Sequence, residues 1–94
     1  MPYITIIAKF KLITQPEKVK NELLGLVEPT RNEKGCVDYT FYLDNDNPDI
    51  ILLYENWETD EDLKAHMETD RFKNTFKGIE GMFELEVHKL TAIV

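Results

Sequence analysis

His66 is the side chain whose type and position point most directly to chemistry in this sequence. It follows Leu63 by three residues in a segment with helical spacing, so we expect it to share the inward face of a helix with Leu63 and Met67. Because the ordinary pKa of an imidazole lies near neutrality, a half-buried histidine there can accept a proton from a bound molecule. The alternative is a structural histidine whose ring nitrogens bond to the backbone or to a carboxylate of a sheet.

Glu55 is a second candidate, because it is a carboxylate in the middle of the apolar segment Ile50–Trp57. A charged group among apolar neighbours is expected to be paired when it is buried. The sequence leaves two roles open for this carboxylate. It orients His66, or it forms an ion pair with Arg31 or Lys9.

Four aromatic or sulfur-containing side chains are candidates for the wall of a binding pocket. Trp57 and Tyr54 come from the same segment, on opposite faces by parity, and an aromatic wall suits a flat ligand. Phe72 and Met67 belong to a helical part of the sequence and can form an adaptable apolar side of a pocket. For Trp57, Phe72 and Met67 the alternative is a place in the hydrophobic core.

Nucleophile and metal chemistry find little support. Cys36 has no histidine near it in the sequence, so we expect a small packed residue there. His66 and His88 lie on different elements without a companion at ligand spacing, which excludes an ordinary zinc site. The acidic segment Asp44–Asp49 imitates a calcium loop, but Asp49 replaces the glycine required at the sixth position. The sequence therefore predicts no metal site.

Four segments are predicted to be strands, because apolar side chains either alternate along them or run on both faces. The strands are predicted at Tyr3–Leu12, Cys36–Asp44, Ile50–Trp57 and Met82–Leu90.

The first helical region begins at Pro16, which suits a first helical position. Pro29 lies inside this region, where it removes a backbone donor and crowds the carbonyl group of Gly25. We therefore expect a kink or an early end there, and we expect Gly35 to close the helix as a left-handed cap.

The second helical region opens with a capping box formed by Thr59 and Asp62. It either continues past Asp70 or is followed there by a short companion helix, until Gly78 and Gly81 break it. The resulting order βαββαβ predicts an α+β, ferredoxin-like fold: a four-stranded antiparallel sheet with both helices on one face. Residues 1–94 have the length of one domain.

Apolar residues on both faces of two strands predict a second layer of protein. The segment Ile50–Tyr54 is apolar on both parities, and Ile7 lies opposite Ile4 and Ile6. A sheet that is covered on one face only should instead alternate between apolar and polar residues. We therefore expect a homodimer in which an identical sheet covers the second face.

Composition excludes several classes of partner. With 11 Lys and Arg against 18 Asp and Glu, the net charge of −7 repels nucleic acid and anionic lipid. No apolar run approaches the roughly 20 residues that span a bilayer, and the start Met1–Tyr3 lacks the basic region of a signal peptide. The single cysteine forms no internal disulfide, so we expect a cytoplasmic protein.

Several stretches of the chain, taken in their order and spacing, resemble a known family. They are Thr30–Cys36 with Tyr39, then Tyr54–Glu58, Leu63–His66 and Phe72. The family is that of the antibiotic biosynthesis monooxygenases, small dimeric α+β-barrel proteins that include quinol monooxygenases. The resemblance implies a pocket between sheet and helices in each subunit, which holds a small and often aromatic substrate.

The resemblance also implies a reaction without a bound cofactor, a monooxygenation of a small quinol-like or phenolic compound. His66 would be the base or hydrogen-bond partner, and Trp57, Tyr54 and Phe72 would shape the cavity. Two rival functions use the same scaffold. One is an isomerase of a small phosphorylated or hydroxylated carbonyl compound, and the other is a non-catalytic dimer that binds a small ligand.

Overall fold

The predicted order of elements is confirmed, with each helical region divided in two. The structure is a computed structural model and describes residues 3–94; Met1 and Pro2, on which the signal-peptide expectation partly depends, lie outside the described residues. The elements are β1 (Ile4–Leu12), α1 (Pro16–Leu24), α2 (Val27–Arg31), β2 (Cys36–Leu43), β3 (Ile50–Trp57), α3 (Asp60–Met67), α4 (Asp70–Gly78) and β4 (Phe83–Leu90).

The strands form one antiparallel sheet in the order β2-β3-β1-β4, which is the ferredoxin-like arrangement expected from the sequence. The pairing places Tyr39 opposite Glu55, Glu55 opposite Ile6, and Ile6 opposite Lys89. These four side chains therefore form one row across the sheet. Because side chains opposite one another share a face, the whole row faces the same side.

The helices cover that face of the sheet. Val19, Leu23 and Leu26 from the first helical region are buried in one core with Phe10 of β1 and Trp57 of β3. Within residues 3–94 no helix covers the other face of the sheet, and the charged side chains on that face are exposed. These residues are Lys9, Lys11, Asp38, Glu84, Glu86 and His88.

The first helical region breaks where the proline predicts. Helix α1 ends at Leu24, Gly25 is its C-terminal cap, and α2 begins after Leu26. Pro29 lies four residues after Gly25, so its ring crowds the Gly25 carbonyl and its missing N–H leaves that carbonyl without a helical partner. The chain therefore turns before it reaches the proline.

Two threonine caps define the second helical region. The Thr59 hydroxyl accepts a hydrogen bond from the Asp62 N–H at 3.1 Å, as the capping box predicts. The Thr69 hydroxyl accepts from the Phe72 N–H at 3.1 Å and donates to the His66 carbonyl at 2.9 Å. Because Thr69 begins a new helix, His66 lies in the last turn of α3 and Phe72 in the first turn of α4.

Gly35 holds the turn between α2 and β2, and its position differs from the prediction. Helix α2 ends at Arg31, so Gly35 belongs to the following turn and is not the helix cap. Its φ of +81° is a left-handed conformation, and a Cβ atom built there would overlap the Asp62 side chain. Both features require glycine at this position.

A Gly35→Ala substitution is therefore expected to lower the free energy of unfolding by roughly 2 kcal/mol or more, from the left-handed backbone and the overlap with Asp62. In a domain of this size the Tm falls by at least about 8 °C. The matched control is Gly78→Ala, because Gly78 lies in α4 with open space around it. Thermal unfolding followed by circular dichroism measures both variants, and equal Tm values for the two would contradict this account.

Candidate functional site

A cavity of about 290 Å³ lies between the sheet and helices α3 and α4. Ten of its fourteen lining side chains are apolar, so the cavity suits an apolar ligand near the small end of the usual range for binding sites. The remaining four lining residues are Tyr39, Glu55, His66 and Lys89. Three of these four belong to the row across the sheet, and His66 approaches from helix α3.

The His66 ring is buried, with 2% of the residue exposed, and one of its nitrogens is held by a carboxylate. Its Nδ1 lies 2.9 Å from Glu33 Oε1, and the other Glu33 oxygen accepts a hydrogen bond from Arg71 at 2.8 Å. Because a carboxylate only accepts hydrogen bonds, the Nδ1 atom carries the proton of this pair. The opposite nitrogen, Nε2, is then free to accept a proton.

Because His66 lines the cavity and its Nδ1 is bonded to Glu33, Nε2 is the ring nitrogen left for a bound molecule. Within residues 3–94, Thr30 Oγ1 is the enclosed side-chain polar atom that lacks a hydrogen-bond partner. His66 Nε2 makes no hydrogen bond to those residues and is not enclosed in the same way. Burial lowers the pKa of His66 below its ordinary value, against the opposing effect of Glu33. The imidazole is therefore neutral at neutral pH, which is the form that can act as a base.

Aromatic rings fix the plane of the imidazole. The ring centroid of His66 lies 4.8 Å from that of Trp57, 5.1 Å from that of Phe72 and 5.6 Å from that of Tyr39. The Trp57 ring is tilted by 33° against the imidazole, and the other two rings meet it edge to face. These contacts leave the imidazole little freedom to rotate away from Glu33.

Glu55 is buried without a cation. The residue is 6% exposed, its Oε1 accepts a hydrogen bond from Trp57 Nε1 at 2.8 Å, and it forms no salt bridge within residues 3–94. Burial raises the pKa of Glu55 to about 7, with a further increase from Glu33, although the Trp57 hydrogen bond lowers it. A large fraction of this carboxyl group is therefore uncharged near neutral pH.

Neither of the ion pairs that the sequence suggested for Glu55, with Arg31 or with Lys9, forms within residues 3–94. The Arg31 Nε donates to the Tyr39 carbonyl oxygen at 3.0 Å, and Lys9 lies on the opposite face of the sheet. The carboxylate that orients His66 is Glu33. Glu33 was not singled out from the sequence, because it lies in a turn 33 residues away and nothing local marks it as the partner.

Of the six predicted site residues, four line the cavity, one lies behind it, and one lies on the other face of the sheet. His66, Glu55, Met67 and Phe72 line the cavity. Trp57 requires a correction, because it does not line the cavity: it is fully buried behind it, where it contacts the His66 ring and donates a hydrogen bond to Glu55.

Tyr54 requires a correction, because it does not line the cavity. It lies on the opposite face of the sheet, is 37% exposed, and its hydroxyl accepts a hydrogen bond from Asn56 Nδ2 at 2.8 Å. The alternation of side chains along β3 places Tyr54 on the face away from Glu55 and Trp57, so it cannot reach a ligand between sheet and helices.

Other chemistry is weakly supported by the described part of the chain. Burial raises the pKa of the Cys36 thiol to about 11, together with the nearby Glu55, Glu33 and Asp38, so this cysteine is a poor nucleophile at neutral pH. Among residues 3–94, no three His, Cys, Asp or Glu side chains group together in a way that could hold a metal ion. None of the helices in this part of the chain is long and apolar enough to cross a membrane.

Comparisons with known proteins agree with the fold. The model of the family "Antibiotic biosynthesis monooxygenase" matches residues 4–78. An uncharacterized protein of Synechocystis, sll1783, is 32% identical over 71 residues; the match covers 71% of this chain and 48% of the relative, so the chain spans about half its length. The solved structure of PA3566 from Pseudomonas aeruginosa has a TM-score of 0.93 at 26% identity and covers 100% of this chain and 97% of its own.

A further solved structure is that of SnoaB, a cofactor-independent oxygenase from Streptomyces nogalater. It has a TM-score of 0.88 at 13% identity, with 100% of this chain and 96% of that chain covered. At this level of identity the likeness shows a common fold.

The buried carboxyl group makes a prediction for stability. The folded pKa of Glu55, about 7, exceeds the ordinary 4.5, so the folded state holds a proton that the unfolded state has lost. The contribution is fully present below pH 4.5 and is lost as the pH rises through 7, by about 3 kcal/mol in total. Glu55→Gln does not titrate, so its stability relative to the wild type should rise by that amount between pH 4.5 and pH 8.

Urea unfolding of both proteins across this pH range measures the difference between their free energies of unfolding. Groups that titrate equally in both proteins cancel in this difference. A difference that stays constant with pH would show that Glu55 titrates as an ordinary exposed carboxyl group.

Proposed function

Because the chain belongs to the antibiotic biosynthesis monooxygenase family, we propose that it is a cofactor-independent monooxygenase that acts on a small quinol-like or phenolic compound. The observation that carries this proposal is the neutral, buried imidazole of His66, held at Nδ1 by Glu33 and open at Nε2 toward an apolar cavity. A base near a phenol is the minimum that such a reaction requires, since the substrate anion itself must reduce O₂.

The proposed reaction begins with proton transfer from the substrate O–H group to His66 Nε2. The imidazolium that forms lies 2.9 Å from the Glu33 carboxylate, which stabilises its charge. The substrate anion then gives an electron to O₂, and the two radicals combine into a peroxide. The proton on His66 returns to the peroxide oxygen that departs.

The electrons balance without an added reductant. For a quinol, the sum is quinol plus O₂ giving hydroxyquinone plus water, so one oxygen atom enters the product and the other leaves as water. All four electrons come from the substrate. The apolar lining supports this chemistry, because it favours the entry of apolar O₂.

Three further predicted site residues have a role in this proposal. Met67 and Phe72 contact the substrate from helices α3 and α4. Trp57 is a positioning residue, because it lies behind the cavity and contacts both His66 and Glu55.

The two rival functions have weaker support. A phosphorylated substrate needs free cations at the cavity, but Lys89 is the one Lys or Arg side chain that lines it within residues 3–94, and its charge is paired with Asp60. A purely binding role predicts a fully apolar pocket with a fully bonded histidine. Here His66 Nε2 makes no hydrogen bond to residues 3–94, and the polar side chain of Glu55 lines the cavity.

We propose that the protein acts as a homodimer in the cytoplasm. On the face of the sheet away from the helices, Ile7 and Leu52 are half-buried and Tyr54 is partly exposed. A second copy of this sheet would remove these side chains from water, as the two-sided apolar pattern of β3 requires. The single cysteine supports a reducing compartment.

Loss of the base should abolish most of the activity. With menadiol and O₂, His66→Ala is expected to take up oxygen roughly 100-fold more slowly than the wild type, the usual contribution of a general base. Glu33→Gln keeps an acceptor for Nδ1 but removes the charge, so a loss of roughly tenfold is expected. Lys64→Ala is the matched control, because Lys64 is an exposed residue of the same helix, α3.

An oxygen electrode with metal-stripped protein makes this measurement. Wild-type uptake no faster than that of His66→Ala would remove His66 from the mechanism.

The dimer has its own test. Sedimentation at micromolar concentration is expected to give twice the mass of the chain, and Leu52→Glu to give a folded monomer, because a charge on the outer face cannot be buried against a second sheet. Leu24→Glu places the same charge on an exposed position of α1 and should remain dimeric. A wild-type protein that sediments as a monomer would contradict the proposed assembly.

A further inference from the structure

The proton transfer to His66 leaves the Glu55 carboxyl group without a role. Glu55 lies in the middle of β3 on the floor of the cavity, whereas His66 reaches the cavity from helix α3. One Glu55 oxygen is held by Trp57 Nε1, and the other makes no hydrogen bond within residues 3–94. That second oxygen is not fully enclosed either, so it is available to a molecule in the cavity.

An uncompensated charge in this position is costly. Ten of the fourteen side chains around the cavity are apolar, and no cation within the described residues pairs with Glu55. Such surroundings favour the neutral carboxyl form, and burial accordingly raises its pKa to about 7. A neutral carboxyl group differs from a carboxylate in one chemical respect, because it can donate a hydrogen bond.

Trp57 contacts both polar groups. Its ring centroid lies 4.8 Å from that of His66, and its indole nitrogen donates to Glu55 at 2.8 Å. His66 and Glu55 line the same cavity from two different elements, α3 and β3. A ligand that meets both groups at once needs two oxygen atoms.

We infer that Glu55 is a second substrate-contacting residue, which donates a hydrogen bond from its protonated carboxyl group to an acceptor oxygen of the substrate. The inference rests on the proposed function for the role of His66, which meets the substrate hydroxyl. The cavity then selects phenols that carry a second, accepting oxygen over phenols that lack one. Trp57 holds the donor in place by occupying its other oxygen.

Glu55 is the group of this site that we expect to change its protonation state near neutral pH. On the adjoining turn Glu33 lies close, and on β2 the side chains of Tyr39 and Cys36 have pKa values raised above their ordinary range, so both stay protonated. The charge of Lys89, on β4, is paired with Asp60. His66, on α3, has a lowered pKa and stays neutral.

The test compares two ligands that differ by one carbonyl group, 6-hydroxy-1-tetralone and 5,6,7,8-tetrahydro-2-naphthol. Isothermal titration calorimetry at pH 6 should show the wild type binding the hydroxyketone tighter by roughly tenfold or more, the usual range for one buried hydrogen bond. Glu55→Gln should keep this preference, because its amide also donates. Glu55→Met should bind the two ligands within about threefold of each other.

The pH dependence separates the protonated donor from a structural carboxylate. Between pH 6 and pH 8.5 the wild-type preference should fall by roughly tenfold relative to the preference of Glu55→Gln, as Glu55 ionises. The comparison with Glu55→Gln removes the titration of His66 and of the ligand phenols, of which the more acidic phenol of 6-hydroxy-1-tetralone ionises in this range. Circular dichroism confirms that each variant is folded.

Equal binding of the two ligands by the wild type at pH 6 would overturn the inference, as would an unchanged preference in folded Glu55→Met. Because the measurement needs no turnover, it is independent of the oxygen-uptake test. Menadiol oxidation that depends on His66, together with no ketone preference, would contradict the role of Glu55 alone. A ketone preference without oxygen uptake would contradict the monooxygenase and support the donor.

Discussion

The site depends on one hydrogen bond, between His66 Nδ1 and the Glu33 carboxylate. It joins a turn after the first helical region to the last turn of α3, and it decides which imidazole nitrogen faces the cavity. Two local features make it possible. Gly35 takes a left-handed conformation beside Asp62, so the turn that carries Glu33 lies against α3. Thr69 ends α3 directly after His66 by bonding to its carbonyl group and starting a new helix.

The second constraint is the conflict between stability and chemistry at Glu55. A buried carboxyl group without a cation destabilises the fold at neutral pH, and an apolar side chain of similar size would pack there without this cost. Trp57 reduces the penalty by one hydrogen bond but also directs the group at the cavity. Together with His66, the cavity thus contains a neutral base on one wall and a weak acid on the other. Groups with opposed protonation are what acid–base chemistry at neutral pH requires.

Most of the fold could be predicted from the sequence, because it depends on local patterns. Alternation of apolar residues identified the four strands, and Pro29 predicted the break at Gly25. The site was harder, since its pairings join distant segments. His66 was recognisable by its type, whereas its partner Glu33 has no local signal. Parity placed Tyr54 opposite Trp57, but which face the helices cover is decided by tertiary packing, so Tyr54 was wrongly assigned to the cavity.

The central claim, a neutral imidazole with its proton on Nδ1, is tested most directly by the ¹⁵N chemical shifts of the histidine rings between pH 6 and pH 8. A His88→Gln variant leaves His66 as the histidine observed, since the sequence contains two. The account predicts a protonated Nδ1 and an unprotonated Nε2 across this range. A proton on Nε2 with Nδ1 bare, or an imidazolium at pH 7, would contradict it.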